Sequence, residues 1–315
     1  MSASPSVYVL QANEGWVTDV YVSDFLAGTS LPIAKTPQDA DIVWLLASWC
    51  WNHISPDILA SKPVICTVHH IVPSKFDVNA FMMRDQFVNV YFVYTQETAS
   101  IIRQHSNKPI VRVAHWIDSS RWPITPRDEA RKRVGITPDE FVIGSFQRDT
   151  EGSDLTSPKL EKGPDILCDL LERMSAHKKI TLLLGGWRRE YVLNRTKGLG
   201  LRILYRTMPP QEVIKDMYAS CDLYLCTSRH EGGPMCILES AVMRVPIMST
   251  NVGMAPDVLH PTQIFDPYTW DFTMPSEDAI SYSHSRALER DPVTMIRAYD
   301  GIFRQIFSYM AERGQ

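Results

Sequence analysis

Short, solidly apolar runs alternate along this chain with stretches of helical periodicity. The first set of runs covers residues 7–10, 42–46, 64–68, 90–93 and 110–113. A second set covers 141–145, 181–184, 202–205, 223–226, 246–249 and 264–265. Most are apolar at consecutive positions rather than every second one, the pattern of parallel strands covered by helices on both faces. The spacers 165–174, 211–219 and 236–243 repeat their apolar residues at helical spacing. Strand–helix–strand repetition predicts an α/β protein of doubly wound sheets.

The two sets are separated by WPITPRDEARKRVGITPDE (122–140), whose three prolines and dense charges read as an interdomain linker running into a short helix. The expected organisation is therefore an N-terminal Rossmann-like domain, 1–125, facing a C-terminal one, 126–291, across a cleft. A terminal helix, 292–315, places Ile296, Tyr299, Ile302, Phe303 and Ile306 on one face. A plain C-terminal helix and one packed back on the domain junction fit that face equally.

Charge narrows the function classes. The 315 residues carry 32 Lys+Arg and 36 Asp+Glu, and each of the segments 1–125 and 126–315 has a net charge of −2 (8 against 10, and 24 against 26). With no basic or acidic block, nucleic acid is not an expected partner. The longest apolar run, 42–51, is too short for a bilayer, which takes about 20 residues. No signal peptide is recognisable. Six cysteines without CxxC spacing read as buried thiols, so a soluble protein of a reducing compartment is expected, cytoplasmic and at most peripherally attached to a membrane.

The chemistry concentrates in CDLYLCTSRHEGGPMCILESAVMRVPIMSTNVGMAPDVL, 221–259. An apolar strand runs into a polar turn with Glu231, Gly232 and Gly233. Pro234 then stands where a first helical residue belongs. The helix that follows would direct its first amides, at Met235 and Cys236, and its positive dipole end toward a ligand, which makes an anion site. Seven residues separate Glu231 from Glu239. The first falls on the turn, the second about one and a half turns into the helix, where a carboxylate can accept hydrogen bonds from a diol. Taken alone, both Glu residues also fit a solvated surface.

The segment from Ser228 through Glu239, followed by RVPIMSTNVGMAPDVL, resembles the donor-binding signature of retaining glycosyltransferases of family 4, which have the GT-B fold. The resemblance covers most of the C-terminal half and the N-terminal half more loosely. It implies that Glu231 lies near the sugar and its anomeric carbon, that Glu239 holds the nucleotide ribose, and that the backbone from Gly232 through Cys236 meets sugar and phosphate. FVIGSFQRDTEGSDLTSPKLEKGPDIL (141–167) resembles the family's opening of that domain, so Arg148 and Lys162 are assigned to the diphosphate. About a dozen residues lie between them, more than the family usually has, which makes Lys159 a rival. LLLGGWRREYV (182–192) places Gly186 where the family passes its backbone close to the donor. Tyr205–Met208, with Arg206 and Met208, stands where the nucleobase is held, although family members often have Gly at position 206.

In the first half, VICTVHHIVPSKFD (64–77) sets His69 and His70 directly after a strand. By the resemblance, His69 belongs at the acceptor–donor junction, while a hydrogen-bonded structural histidine fits equally. Gly15, with Trp16, stands where the family has a Gly-rich phosphate loop. Trp16, Trp49 and Trp51 offer faces for sugar stacking or for a core. Asp118 is read as structural. Asp39 and Asp41 precede a strand rather than follow one, so this DxD pair reads as a loop cap, and no catalytic metal or other cofactor is expected. The resemblance implies transfer from a nucleoside-diphosphate sugar to a hydroxyl of a glycan or lipid-linked acceptor. A nucleotide-sugar epimerase and a non-catalytic sugar-nucleotide-binding subunit remain as alternatives.

Overall fold

The computed structural model describes residues 4–15 and 17–312. It divides into two compact units, one formed by the chain up to Trp116 and from Arg290 onward, the other by Ile117–Glu289. Each holds a five-stranded sheet whose pairings are all parallel.

In the first unit the sheet runs β1 (Val7–Leu10), β2 (Ile42–Leu45), β3 (Val64–Val68), β4 (Val90–Val93) and β5 (Ile110–Arg112), in that order. Between them come α1 (Val17–Gly28), α2 (Pro56–Ser61), α3 (Val78–Asp85) and α4 (Gln96–Arg103). On its other edge β1 bridges Ile33 through Val7, so the chain returns beside β1 before crossing to β2. One sheet face packs Val43, Leu45 and Tyr91 against Leu59, Phe81 and Ile102 from α2, α3 and α4. The other face presents Trp44 and Phe92, which meet Phe25 of α1 and Phe303 of the C-terminal helix at ring-centroid distances of 5.0–5.7 Å where they touch most closely.

That terminal helix runs Pro292–Glu312 and belongs to the first unit, although the whole second unit precedes it in sequence. Its buried Asp300 accepts from the Ser30 amide (2.8 Å) and hydroxyl (2.6 Å), and Tyr299 donates to the Ala114 carbonyl (3.2 Å). A Cβ on Gly28 would come within 2.9 Å of Ile296, so α1 lies against the helix with nothing between them. Asp39 and Asp41 are occupied in loop contacts, accepting from Thr36 (2.7 Å) and Ser6 (2.7 and 2.8 Å).

The second unit opens with α5 (Arg127–Val134) and continues β6 (Phe141–Ser145), α6 (Pro164–Ser175), β7 (Ile180–Gly186), α7 (Glu190–Arg195), β8 (Arg202–Thr207), α8 (Gln211–Ala219), β9 (Leu223–Cys226), α9 (Met235–Val242), β10 (Ile247–Ser249), α10 (Ala255–Val258) and α11 (Glu277–Leu288). In this chain order the C-terminal helix, Pro292–Glu312, is α12. The sheet order is β10-β9-β6-β7-β8.

Two expectations change here. The charged stretch 122–140 holds the expected short helix, α5, but lies wholly inside the second unit rather than linking the two. Arg131 is 1% exposed and donates to the carbonyls of Ser220, Pro138 and Glu140 at 2.9–3.2 Å, while pairing with Asp222 at 2.7 Å. Burying a guanidinium is tolerable only with its donors satisfied, and these carbonyls satisfy it. Residues 264–265 form a single bridge to Ser249 rather than a strand. All six cysteines are buried and free. Among the described residues, no helix is long and apolar enough to cross a membrane, and no group of three or more His, Cys, Asp or Glu side chains is placed to hold a metal ion.

Candidate functional site

The order of the second sheet reverses between its neighbours β6 and β9. At such a switch point the loops leaving the carboxyl ends of the two strands diverge and open a crevice. Here those loops are 146–163 and 227–234, and backbone chemistry lays them side by side. Gly163 has φ +61°, and a Cβ there would fall 1.8 Å from the Thr227 carbonyl oxygen. The Thr227 hydroxyl donates to the Gly163 carbonyl (2.8 Å), and the Glu161 carbonyl accepts from the amides of Arg229 (2.8 Å) and His230 (3.1 Å).

This apposition joins Lys162 to Glu231 in an ion pair whose side chains are only 22% and 10% exposed. The Ser228 hydroxyl lies 3.2 Å from the same Glu231 carboxylate, and Gln147 donates to the Lys162 carbonyl (2.8 Å). Two residues assigned separately from the sequence thus form one unit. Lys159 pairs instead with Glu161 at 3.5 Å. Burial pushes its pKa down, and the nearby Lys162 and Arg148 act in the same direction. Arg148 stands outside the Lys162–Glu231 pair: it donates to the Thr150 carbonyl (2.7 Å) and lies 5.3 Å from the Trp187 ring centroid.

Pro234, expected as the first helical residue, is the N-cap, with ψ 113°; α9 begins at Met235 without a side-chain cap. Gly253 (φ +56°) brings its loop against this turn, since a Cβ would meet Pro234 Cδ at 2.7 Å and the Glu231 and Gly232 carbonyls at 3.1 Å. Thr250 donates to the Ser228 carbonyl at 2.5 Å. The turn is therefore held on both sides. Cys236 is buried in the core, and the hydrogen bond it shares with the Cys226 thiol, together with burial, pushes its pKa well up.

Glu239 receives a hydrogen bond from the Tyr218 hydroxyl (2.7 Å), yet desolvation outweighs that bond and pushes its pKa from 4.5 up to about 7. A carboxyl whose folded pKa lies above its unfolded value stabilises the fold while protonated. That contribution is complete below pH 4.5 and is lost as pH rises through about 7. Over that interval the unfolding free energy should fall by at most about 1.4 kcal/mol per pH unit. Chemical denaturation at several pH values checks this: Glu239→Gln should flatten the slope, and Tyr218→Phe should move it to higher pH.

At the next strand end, Gly186 (φ +96°) passes Phe146, whose carbonyl would lie 3.2 Å from a Cβ. The tight approach that the glycine pair permits is thus to this loop. Gly186 accepts from the Tyr205 hydroxyl (3.2 Å) and the Met208 amide (3.3 Å), which brings the expected base-holding segment to the expected glycine. Met208 (61% exposed) and Arg206 point outward.

Arg189 and Asp149 carry no functional signal in the sequence. Both are almost fully buried, pair at 2.9 Å, and sit under these same loops. Arg189 also donates to the Ser145 carbonyl and to the Gly185 carbonyl (2.9 Å), and the Tyr191 amide reaches Asp149 (3.3 Å). Nothing in WRRE tells which arginine turns inward.

The remaining assignments belong to the first unit. His69 follows β3 and bonds through Nε2 to the Leu46 carbonyl (2.9 Å). A carbonyl only accepts, so Nε2 carries the hydrogen. Burial lowers the pKa of His69, and the neutral ring leaves Nδ1 as an acceptor. His70 is exposed. Gly15 (φ +72°) donates its amide to Asp19 (2.6 Å), while Trp16 lies outside the described residues. Asp118 caps a short 3₁₀ turn and pairs with Arg121 at 3.0 Å, a structural role.

Residues 156–273 match the family model of glycosyl transferases group 1. No curated protein matches the chain. Among solved structures, the Anabaena protein HepE in complex with UDP and glucose aligns with a TM-score of 0.70 at 15% identity, covering 94% of this chain and 98% of its own. A glycosyltransferase from Rickettsia africae aligns at 0.60 and 13%, covering 96% and 98%. Sucrose-phosphate synthase from Thermosynechococcus elongatus aligns at 0.56 and 14%, covering 87% and 72%. The chain carries a glycosyl transferases group 1 domain and has the α/β fold of GT-B glycosyltransferases.

Proposed function

We propose that the protein is a retaining glycosyltransferase of the family 4 type, moving a sugar from a nucleoside-diphosphate sugar to a hydroxyl acceptor. The observation that carries this reading is the Lys162–Glu231 pair, set at the switch point of the second sheet, beside the start of α9 and within the group 1 match. The diphosphate lies against the first turn of α9, and Lys162 and Arg148 neutralise it as the glycosidic bond breaks. Glu231 faces the anomeric carbon and stabilises positive charge there. The acceptor hydroxyl attacks from the face the diphosphate leaves, and its proton passes to the leaving phosphate. Glu239 accepts hydrogen bonds from the ribose. Side-chain cations do the neutralising, so the reaction proceeds without a metal.

HepE was solved with UDP and glucose, which makes UDP-glucose the first donor to test. A ligand at about a hundred times its dissociation constant adds roughly 2.7 kcal/mol of stability, visible in a thermal-shift screen of UDP-, GDP-, ADP- and dTDP-sugars. A shift with one nucleotide, unchanged by EDTA, followed by α-linked product from an α-linked donor, is the expected outcome. No shift with any donor, or an inverted product, would overturn the reading. Conversion of donor without acceptor would identify an epimerase, and donor binding without turnover a binding subunit.

A further inference from the structure

We propose that the first unit contains a binding pocket for a saccharide ring bearing a negatively charged group, a carboxylate or a phosphate, and that this is the acceptor. Calling the ligand the acceptor rests on the transferase reading; the binding chemistry does not.

The pocket lies at the carboxyl ends of β2 and β3, between the loops that follow them and α3, and encloses about 510 Å³. That is a small-ligand volume. Its walls are aromatic: Trp49, Trp51, Phe76 and Phe81 line it. Trp49 is 47% exposed, although its indole sits 5.7 Å from the His69 ring and its N–H donates to Glu14 (3.3 Å). A large, anchored, half-exposed indole presents an apolar face to which the flat face of a sugar ring is complementary.

The polar part is cationic. Lys75 and Arg84 line the pocket, and the single carboxylate in its lining, Asp77, caps α3 by accepting from the Ala80 amide (3.0 Å). Arg84 is the decisive group. Its guanidinium makes one long hydrogen bond, to the Ser48 carbonyl (3.4 Å), and lies 5.7 Å from the Phe81 ring centroid. It has no ion pair among the described residues, and its Nε is buried with no hydrogen-bond partner. Its chain neighbour Asp85 is turned the other way, accepting from Tyr91 (2.7 Å) and pairing with Lys108 (3.6 Å). A buried guanidinium N–H without a partner is costly, and a carboxylate or a phosphate is the group that satisfies a guanidinium with two parallel hydrogen bonds. His69 supplies the remaining polarity as an Nδ1 acceptor for a sugar hydroxyl.

The test is direct binding without donor, by ligand-observed NMR on the full chain. The probes are methyl β-glucuronide, glucose 6-phosphate and, as the uncharged control, methyl β-glucoside. One charge-assisted arginine contact should make a charged probe bind about tenfold more tightly than methyl glucoside, and Arg84→Gln should remove that preference. Trp49→Ala should weaken charged and neutral probes alike. The stronger of the two charged probes tells carboxylate from phosphate. A preference below about threefold in the unaltered protein, or one that survives in a folded Arg84→Gln variant, would overturn the proposal. The wild-type comparison needs no variant, so misfolding cannot obscure the result. Donor thermal shifts report separately on the transferase reading: acidic-sugar binding without any donor shift would leave the pocket standing and remove the name acceptor.

Discussion

Glu231→Ala is expected to lower kcat by about 10²–10³-fold, the loss seen when one preorganised electrostatic contact to a transition state is removed. Donor affinity should change little, because on the proposed reading Glu231 faces charge that develops only as the glycosidic bond breaks. The local structure adds a second expectation. The carboxylate is the ion-pair partner of Lys162, and the Ser228 hydroxyl lies against it. Removing it frees a cation that the diphosphate can attract, so Kd for the nucleotide should stay level or tighten while turnover falls. Glu231→Gln, which still accepts a hydrogen bond from Lys162, should keep the loop geometry and lose most of the rate. Single-turnover kinetics with separately measured donor binding distinguishes these effects. Full turnover in the alanine variant would remove Glu231 from the site.

Asp149→Ala should be the most damaging single change to stability in the second unit. Arg189 is fully buried, and its only carboxylate partner among the described residues is Asp149, itself 2% exposed at the side chain. Removing one partner of a buried pair leaves an uncompensated charge and typically costs about 3–5 kcal/mol. In a unit of this size that lowers the melting temperature by about 10 °C. Asp149→Asn, which retains an acceptor for Nε, should cost less. Because Arg189 ties the ends of β6 and β7 together through the Ser145 and Gly185 carbonyls, the Ala variant should also weaken donor binding. A thermal melt of the two variants decides it; a shift of only a degree or two for Ala would show that the pair is not holding these loops.

The strands were legible because a strand buried on both faces must be apolar at nearly every position, and four residues suffice to show it. The helical spacers 165–174, 211–219 and 236–243 are legible for the same kind of local reason: the EGGP turn advertises a helix start through Pro234, and position 211 opens α8 where the periodicity begins. The misreadings came from residues whose character contradicts their burial. Arg131 looks like a surface charge in a charged run, and only the carbonyls gathered around it from Ser220, Pro138 and Glu140 make its burial tolerable. The C-terminal helix advertised an apolar face but not its partner, because an apolar stripe does not encode which surface will cover it.

The sequence by itself determined the α/β class, the two sets of parallel strands, and the stretch in which a turn, a helix start and two glutamates coincide. These depend on neighbours within a few residues, where spacing is geometry. Tertiary structure alone decided that Lys162 and not Lys159 meets Glu231, that Arg148 stands outside that pair, that Arg189 and Asp149 lock the loops from beneath, and that the Arg84 Nε is buried without a partner beside an aromatic pocket. Each of these joins side chains from separate elements. Such pairings are fixed by strand order and by the close approaches that Gly163 and Gly253 allow, and those contacts exist only once the sheet is assembled.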